Sequence, residues 1–182
     1  MVGARVVISF QQGPTKSVTA STVIPSASTF YAGSTDGKIV SGSVDTGVLE
    51  NLIGDGHTNL VSGLTGAEGG RAWSVGFDDR IREITANGFA WVHISMGVRP
   101  ILSSILILNR PTSGSTNGQP KGVASTDDGT IFVITTNGAE VYAGGNVGKK
   151  VADLPLKTNP ICIAVHGKTV AVGAEVSSSS PS

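Results

Sequence analysis

Short apolar runs alternate with compact polar turns along most of the chain. Three segments share one order, an apolar strand, a turn with Asp or Asn, and a second strand: YAGSTDGKIV at 31–40, WSVGFDDRIR at 73–82 and VITTNGAEVY at 133–142. Asp36-Gly37 and Asn137-Gly138 are strong signals for tight hairpin turns, because glycine accepts a positive φ at no steric cost. The pattern therefore predicts a series of β-hairpins.

These hairpins recur at a nearly constant spacing. The turn residues Asp36 and Asp78 are 42 positions apart, and two similar strings, GPTKSVTA at 13–20 and GHTNLVSG at 56–63, are offset by 43. A fourth unit begins with TVAVGAEV at 169–176, where Val176 stands in the place of the turn residue. Periods of about 40–45 residues with a Gly-His opening are typical of WD-repeat propellers. The sequence therefore predicts an all-β fold of WD-repeat β-propeller blades, about three and a half blades in an incomplete ring.

One interval departs from this spacing. Asp78 and Asn137 are 59 residues apart, and the block ILSSILIL between them lacks the alternation of its neighbours. We interpret the unmatched parts of the chain as read-through of introns or as a mis-set gene boundary. The predicted segments are 1–12, unmatched; 13–89, two propeller blades; 90–118, an inserted non-blade segment; 119–176, one blade and the first half of another; and 177–182, a Ser-rich tail.

Four residues are predicted to lock the blades. In a WD blade, an imidazole before the first strand hydrogen-bonds the Asp of the hairpin turn and ties the loop to the hairpin. His57 precedes Asp78 by 21 residues, while Asp36 and Asn137 occupy the corresponding turn positions. The sequence thus predicts a structural role for these four residues. A catalytic or metal-binding His57–Asp78 pair is the alternative interpretation of the same spacing.

Composition and charge narrow the class of protein. Glycine makes up 25 of 182 residues and charged residues only 14%, which fits many short strands joined by tight turns. Lys plus Arg and Asp plus Glu are both 13, so a general electrostatic grip on nucleic acid or a membrane is not expected. Cys162 is the one cysteine, which excludes an internal disulfide. No apolar run approaches the ~20 residues that cross a membrane, so a soluble intracellular protein is expected.

Several strings match catalytic or ligand-binding motifs only in part. AWSVG at 72–76 is a near miss to the nucleophile elbow, but here a strand runs into a hairpin instead of a helix. GGNVGKK at 144–150 departs from the phosphate-binding loop, and Asp127-Asp128-Gly129 lacks the later Glu of a calcium loop, so both are interpreted as turns. The sequence therefore predicts that the protein is not an enzyme and has no cofactor.

The remaining candidate residues are interpreted as structural or as surface charge. His57, His93 and His166 have no metal-ligand spacing, so no metal site is predicted. Cys162 lies in an alternating apolar strand and is expected to be a buried small hydrophobe. Partner contacts of a propeller come from loops at the ends of its blades. Those loops would present the following side chains, each otherwise interpreted as solvated surface: Lys16, Asn59, Arg80, Arg82 and Lys121.

An ordered set of strings resembles a known family. The strings are STFYAGSTDGKIVSGS at 28–43, GHTNLVSGL at 56–64, SVGFDDRIREI at 74–84, QPKGVAST at 119–126 and IAVHGKTVAVGAE at 163–175. Together they look like the WD-repeat actin-interacting protein, of fungal type, around the start of its second propeller. The resemblance implies a pair of seven-bladed propellers that assists cofilin in disassembling actin filaments. It also implies actin and cofilin as partners and a cytoplasmic place at the actin cytoskeleton.

Other interpretations remain open at this point. A generic WD-repeat scaffold for another protein partner fits the same blades, as does a truncated gene product without independent function. A propeller hydrolase with a metal in the central channel would need inward carboxylates and histidines that the sequence does not offer. Because an open arc leaves blade edges and faces uncovered, self-association is also expected.

Overall fold

The computed structural model of the chain describes residues 16–67, 70–86, 88–89, 113–143 and 149–175. These residues form fifteen β-strands and one short 3-10 turn, Pro25–Ala27. The strands make four separate antiparallel sheets in chain order, which we number blades 1 to 4. The predicted inserted segment lies largely outside the described residues, as do the N-terminal segment 1–12 and the tail 177–182.

Blades 1 and 2 are built from consecutive strands. The strands of blade 1 are β1 Val18–Ile24, β2 Thr29–Ser34, β3 Ile39–Ser43 and β4 Leu49–Asn51. The strands of blade 2 are β5 Val61–Gly66, β6 Ala72–Gly76, β7 Arg80–Thr85, β8 Gly88–Phe89 and β9 Ser113–Ser115. Each strand pairs with its sequence neighbour, as expected for hairpins joined by short turns. The exception is β9, which pairs with β7 and not with β8.

Blade 3 has four strands and blade 4 has two. The strands of blade 3 are β10 Pro120–Ser125, β11 Ile131–Thr135, β12 Gly138–Tyr142 and β13 Lys150–Leu154. Blade 4 is the hairpin of β14 Pro160–His166 and β15 Thr169–Ala174. The described residues thus contain three blades and the first half of a fourth, and their sheets do not close a ring. The predicted all-β fold with about three and a half blades is confirmed.

The first strands of the four blades lie side by side. β1 packs on β5, β5 on β10, and β10 on β14. Each of these strands has a register shift near its start, at Val18/Ala20, Val61/Gly63, Pro120/Gly122 and Pro160/Cys162. Because the shift recurs at the same place, it defines which residues are equivalent from blade to blade.

The hydrophobic core consists of layers between adjacent blades. One cluster joins blades 1 and 2 and the other joins blades 2 and 3. Trp73 and Val75 are almost fully buried in the second layer, on the face of blade 2 that meets blade 3. Apolar burial of this kind is the main term that holds successive sheets together.

The hairpin turns lie where the sequence places them. Asp36 and Gly37 connect β2 to β3, with Gly37 at φ 82°, and Gly138 after Asn137 has φ 134°. A β-carbon on Gly37 would collide with the backbone carbonyl of His57, so this turn packs directly on the loop that opens blade 2. The Asp127–Asp128 pair also forms a turn, between β10 and β11.

The outer strand of blade 2 is split into two pieces. β8 pairs with Ile84 and Thr85 of β7, whereas β9 pairs with residues 80–82 of the same strand. Residues 113–115 belong to the segment 90–118 that the sequence analysis assigned as non-blade. They depart from that expectation, because the edge of β7 offers hydrogen-bonding groups that even a short Ser-Gly-Ser strand can pair with.

Candidate functional site

His57 connects the loop before blade 2 to the hairpin turn of that blade. Its buried ring places Nδ1 2.7 Å from Asp78 Oδ1, and the backbone N–H of Thr58 donates to Asp78 Oδ2 at 3.1 Å. The structure therefore brings together the two residues that the sequence pairs. One carboxylate accepts hydrogen bonds from both the side chain and the backbone of the opposite loop.

The other ring nitrogen of His57 contacts a residue that the sequence analysis did not include in the site. His57 Nε2 lies 2.9 Å from Ser74 Oγ, and Ser74 is fully buried in β6. An ionised carboxylate only accepts, so Nδ1 donates to Asp78, and in the neutral imidazole Nε2 accepts the hydroxyl hydrogen of Ser74. The sequence signal for this contact is the position of Ser74, a hydroxyl residue four positions before Asp78.

This Ser–His–Asp chain has the connectivity of a nucleophilic triad, but its setting differs. A nucleophile must reach a substrate, whereas Ser74 has no exposed surface. A β-carbon on Gly76 would stand 2.5 Å from His57 Nδ1, so the backbone of β6 closes against the ring. The arrangement can hold a loop on a sheet, and it offers no opening for a reacting molecule.

The electrostatics of Asp78 follow from these contacts. Burial by itself raises the pKa of the Asp78 carboxyl, but the hydrogen bond and charge of His57 and the Thr58 amide outweigh it and leave the pKa lowered. Arg82 Nη2 is 4.0 Å from Asp78 Oδ2. Arg82 Nε is buried and has no hydrogen-bond partner among the described residues.

Asp36 holds its own turn and does not pair with a histidine in the described residues. Its Oδ1 accepts from Ser34 Oγ at 2.5 Å and from the Lys38 backbone N–H at 3.4 Å. The Ser34 hydrogen bond is the main reason that the pKa of Asp36 is lowered. Position 14, which matches His57 in the repeat, lies outside the described residues.

Asn137 connects the turn of blade 3 to the loop before that blade. Its Nδ2 donates to the Asn117 carbonyl at 3.1 Å, and its backbone N–H donates to Thr135 Oγ1 at 3.1 Å. The amide side chain of Asn137 thus joins loop to hairpin without a histidine. In blade 3 an amide-to-carbonyl hydrogen bond therefore makes the loop-to-turn contact that an imidazole and a carboxylate make in blade 2.

Glu140 is a second residue that the sequence analysis missed. Its buried carboxylate accepts from the Asn117 backbone N–H at 2.6 Å and from the Tyr142 hydroxyl at 2.6 Å. Burial, followed by the hydrogen bond to Glu140, raises the pKa of Tyr142. Lys150 Nζ lies 3.9 Å from Glu140 and 2.8 Å from Asp153. No sequence motif marks Glu140, since its partner Asn117 is 23 residues away in the chain.

Polar side chains at one end of the blades form a surface that a partner could contact. The first strands begin at this end and the turns after the second strands lie there as well, because the two strands are antiparallel. We call this surface the turn rim. Lys16, Asn59 and Arg80 are exposed on it, whereas Arg82 is half-buried against Asp78 and Lys121 hydrogen-bonds Asn159.

Two further expectations have definite outcomes. Cys162 is exposed, so its predicted burial is wrong; within the described residues, no further blade covers the face of blade 4 that carries it. Asp128 accepts from Thr126 Oγ1 at 2.6 Å and from the Thr130 N–H at 3.1 Å, and these bonds lower the pKa of its carboxyl to about 2.

Other sequence candidates carry no site in the described residues. His166 is exposed beside the turn of blade 4, while His93 and residues 144–148 lie outside the described part. Within that part, no three His, Cys, Asp or Glu side chains cluster as metal ligands would. Nor do the described residues include a helix long and apolar enough to span a bilayer.

Comparison with known proteins gives the chain its relatives. Actin-interacting protein 1 of Caenorhabditis elegans is 26% identical over 166 residues, which cover 90% of this chain and 24% of that protein. The protein of the same name from Drosophila melanogaster is 25% identical over the same share of both chains. The chain is similar to actin-interacting protein 1. It spans about a quarter of the length of these relatives, and no protein-family model matches it.

Solved structures agree with the fold. U3-55K superposes with a TM-score of 0.71 at 14% identity, over 90% of this chain and 47% of that one. The WD40 repeats of RRP9 superpose with a TM-score of 0.62 at 14% identity, over 81% and 41%. At such low identity these similarities concern the fold alone. They show that the four sheets have the fold of a partial WD40-type β-propeller.

Proposed function

We propose that the chain is a non-catalytic protein-interaction module that binds actin. The observation that carries the proposal is the similarity to actin-interacting protein 1 of two animals over 90% of the chain. The blade architecture supports it, because propellers present loops at the blade ends to other proteins. A place in the cytoplasm at the actin cytoskeleton belongs to the same proposal.

The turn rim is the surface that we assign to actin. Lys16, Asn59 and Arg80 are exposed there, and two of the three are cations. Cations on a rim steer and orient an acidic partner surface, with an effect that decreases as salt screens it. Arg80 begins β7 immediately after the Asp78 turn, and we propose that the contact between His57 and Asp78 holds the backbone that carries it.

The proposal includes cofilin as a second partner because the family that the sequence resembles acts together with cofilin. We propose that the chain binds filaments carrying cofilin more tightly than bare filaments, as a disassembly cofactor must. The absence of an accessible nucleophile at Ser74 supports a binding role over a hydrolytic one. The scaffold interpretation differs from this proposal only in its partner.

Filament pelleting with matched variants tests the assignment of the turn rim. Arg80→Glu reverses an exposed cation on the turn rim, whereas Lys149→Glu reverses an exposed cation just before β13, at the opposite end of the blades. We expect Arg80→Glu to weaken binding to cofilin-decorated filaments by roughly tenfold, and Lys149→Glu to leave it unchanged. Equal weakening by both variants would contradict the assigned surface.

The partner itself is tested by affinity capture from extract. The proposal predicts that immobilised chain recovers actin, together with cofilin. Stoichiometric recovery of another protein without actin or cofilin would favour the generic scaffold instead.

We also propose that copies of the chain associate through their open blade faces.

A further inference from the structure

Small uncharged side chains occupy most of the open face of blade 4, with His166 and Thr169 at the end next to the hairpin turn. Cys162 pairs with Gly173 and Ala164 with Ala171 across the hairpin, and a β-carbon on Gly173 would collide with the Cys162 sulfur on this face. The opposite face packs on blade 3, where Gly122 approaches Ile163. Cys162, Ala164 and Ala171 are exposed. We call these four residues, Cys162, Ala164, Ala171 and Gly173, the back face.

In the other blades the equivalent positions are covered by the next blade. The shared register shift makes Gly33, Val75 and Ile134 the equivalents of Gly173, and all three are buried. Likewise Trp73 of blade 2, the equivalent of Ala171, is 1% exposed. The back face is therefore built as a blade-to-blade contact surface and is exposed because the described chain supplies no blade to cover it.

At the other end of the arc, blade 1 exposes the complementary face along its first strand, while Ala32 and Val40 of the same face are buried. Val18 and Val23 of β1 are 52% and 57% exposed. Val61, the equivalent of Val18 in blade 2, is fully buried against blade 1. We call Val18 and Val23 the front face. The equivalent of Val23 is the half-buried Gly66, which faces blade 1. An exposed valine at a position that is buried one blade later marks a surface suited to another sheet.

The two ends match each other by the contact already seen between blades 1 and 2. A β-carbon on Gly33 would stand 2.5 Å from Val61 Cγ1, so the glycine leaves the space that the valine fills. Gly173 on the back face and Val18 on the front face are the equivalents of Gly33 and Val61. Within the chain, blades 2 and 3 and blades 3 and 4 place a proline, Pro120 or Pro160, where Val61 stands.

We propose that the back face of one copy binds the front face of a second copy of this chain, continuing the series of blade contacts from β1 to β14. Neither face carries a charged side chain, so the contact buries no unpaired charge. The two faces are different, so the interface is heterologous: one copy contributes its back face and its neighbour the front face. This inference rests on the proposed self-association and not on actin binding, and either of the two can fail alone.

The test uses two variants of the whole chain that each block one face. Ala164→Glu combined with Ala171→Glu blocks the back face, and Val23→Glu blocks the front face. All three sites are exposed, so folding of each variant can be checked by its circular dichroism. Ile53→Glu is the control, since Ile53 is 71% exposed in the loop between β4 and β5 and belongs to neither face.

Sedimentation velocity measures the outcome. The unmodified chain and Ile53→Glu should form species of at least twice the 18.4 kDa monomer mass, while each blocked variant alone should be a monomer. A mixture of the two blocked variants should give a 1:1 dimer and nothing larger, because one intact back face and one intact front face remain. A monomeric unmodified chain, or a mixture without dimer, would overturn the proposal. Homodimers of either blocked variant would show an isologous contact and overturn it too.

The thiol on the back face gives a second readout that needs no variant. Cys162 is exposed in the single chain, so a small alkylating reagent should label it readily at low protein concentration. In the associated form the thiol is covered, and the labelling rate should decrease at least twofold as concentration rises. A rate independent of concentration over a range in which sedimentation detects association would place the contact elsewhere and contradict the assigned face.

Discussion

His57 Nδ1 lies 2.7 Å from Asp78 Oδ1, and this contact joins the loop before blade 2 to the turn between its second and third strands. Both side chains are almost completely shielded from solvent. The contacts of His57 with Asp78 and Ser74 give partners to both buried ring nitrogens and to the buried Ser74 hydroxyl. Its effect on the molecule should therefore be on stability, and several consequences can be measured.

Replacing His57 by alanine should destabilise the fold. The change leaves the Asp78 carboxylate and the Ser74 hydroxyl without the imidazole, at a cost of about 2–3 kcal/mol in the free energy of unfolding. Urea denaturation followed by circular dichroism measures this difference. His166→Ala is the matched control, since His166 is exposed and should change stability by no more than about 0.5 kcal/mol. Equally small effects of both variants would show that the hydrogen bonds of His57 with Asp78 and Ser74 do not contribute to stability.

The lowered pKa of Asp78 makes stability depend on pH in the acid range. A carboxyl with a folded-state pKa below the unfolded value of about 3.9 stabilises the fold above that pH, and the contribution is lost as pH decreases through the folded pKa. Stability should therefore fall more steeply as pH decreases below about 4 in the unmodified chain than in Asp78→Asn. Parallel curves for the two proteins would mean that Asp78 has the same pKa folded and unfolded.

Gly37 should tolerate a side chain less well than another glycine with positive φ. Gly37 and Gly167 have φ of 82° and 58°, but a β-carbon meets the His57 carbonyl at Gly37 and nothing within 4 Å at Gly167. Gly167→Ala should cost only the left-handed backbone penalty of about 1–2 kcal/mol, and Gly37→Ala clearly more. Thermal unfolding of the two variants measures the difference. A Gly37→Ala variant as stable as Gly167→Ala would contradict the close packing of the turn on the loop.

Glu140 should matter for blade 3 as His57 does for blade 2. Glu140→Ala removes the acceptor for the Asn117 amide and the Tyr142 hydroxyl, which predicts a loss of about 2–3 kcal/mol. Urea denaturation quantifies it, with Glu50→Ala as the control because Glu50 is exposed on β4. No difference between the two variants would mean that water replaces the carboxylate without loss.

The parts of the fold that the sequence predicts are those governed by local chemistry. Asp36-Gly37 and Asn137-Gly138 set tight turns within a few residues, and the repeat spacing then places the strands around them. The pairing of His57 with Asp78 could be anticipated because the repeat supplies a spacing for it. The stability of the His57→Ala variant tests whether that pair locks the blade.

The parts that the sequence did not predict depend on contacts between distant segments. Burial of Cys162 requires a following blade, which alternation within its own strand cannot reveal. Glu140 acquires its role from Asn117, 23 residues away, and the strand at 113–115 forms because the edge of β7 is free to pair. Ser74 and His57 both stand in the sequence, but no spacing rule predicted the contact between them.

Cosedimentation of the whole 182-residue chain with actin filaments, with and without cofilin, tests the central claim most directly. The proposed function predicts saturable pelleting that becomes tighter when the filaments carry cofilin. A folded chain that stays in the supernatant under both conditions would contradict actin binding, while the blade architecture and the face-to-face association would stand on their own tests.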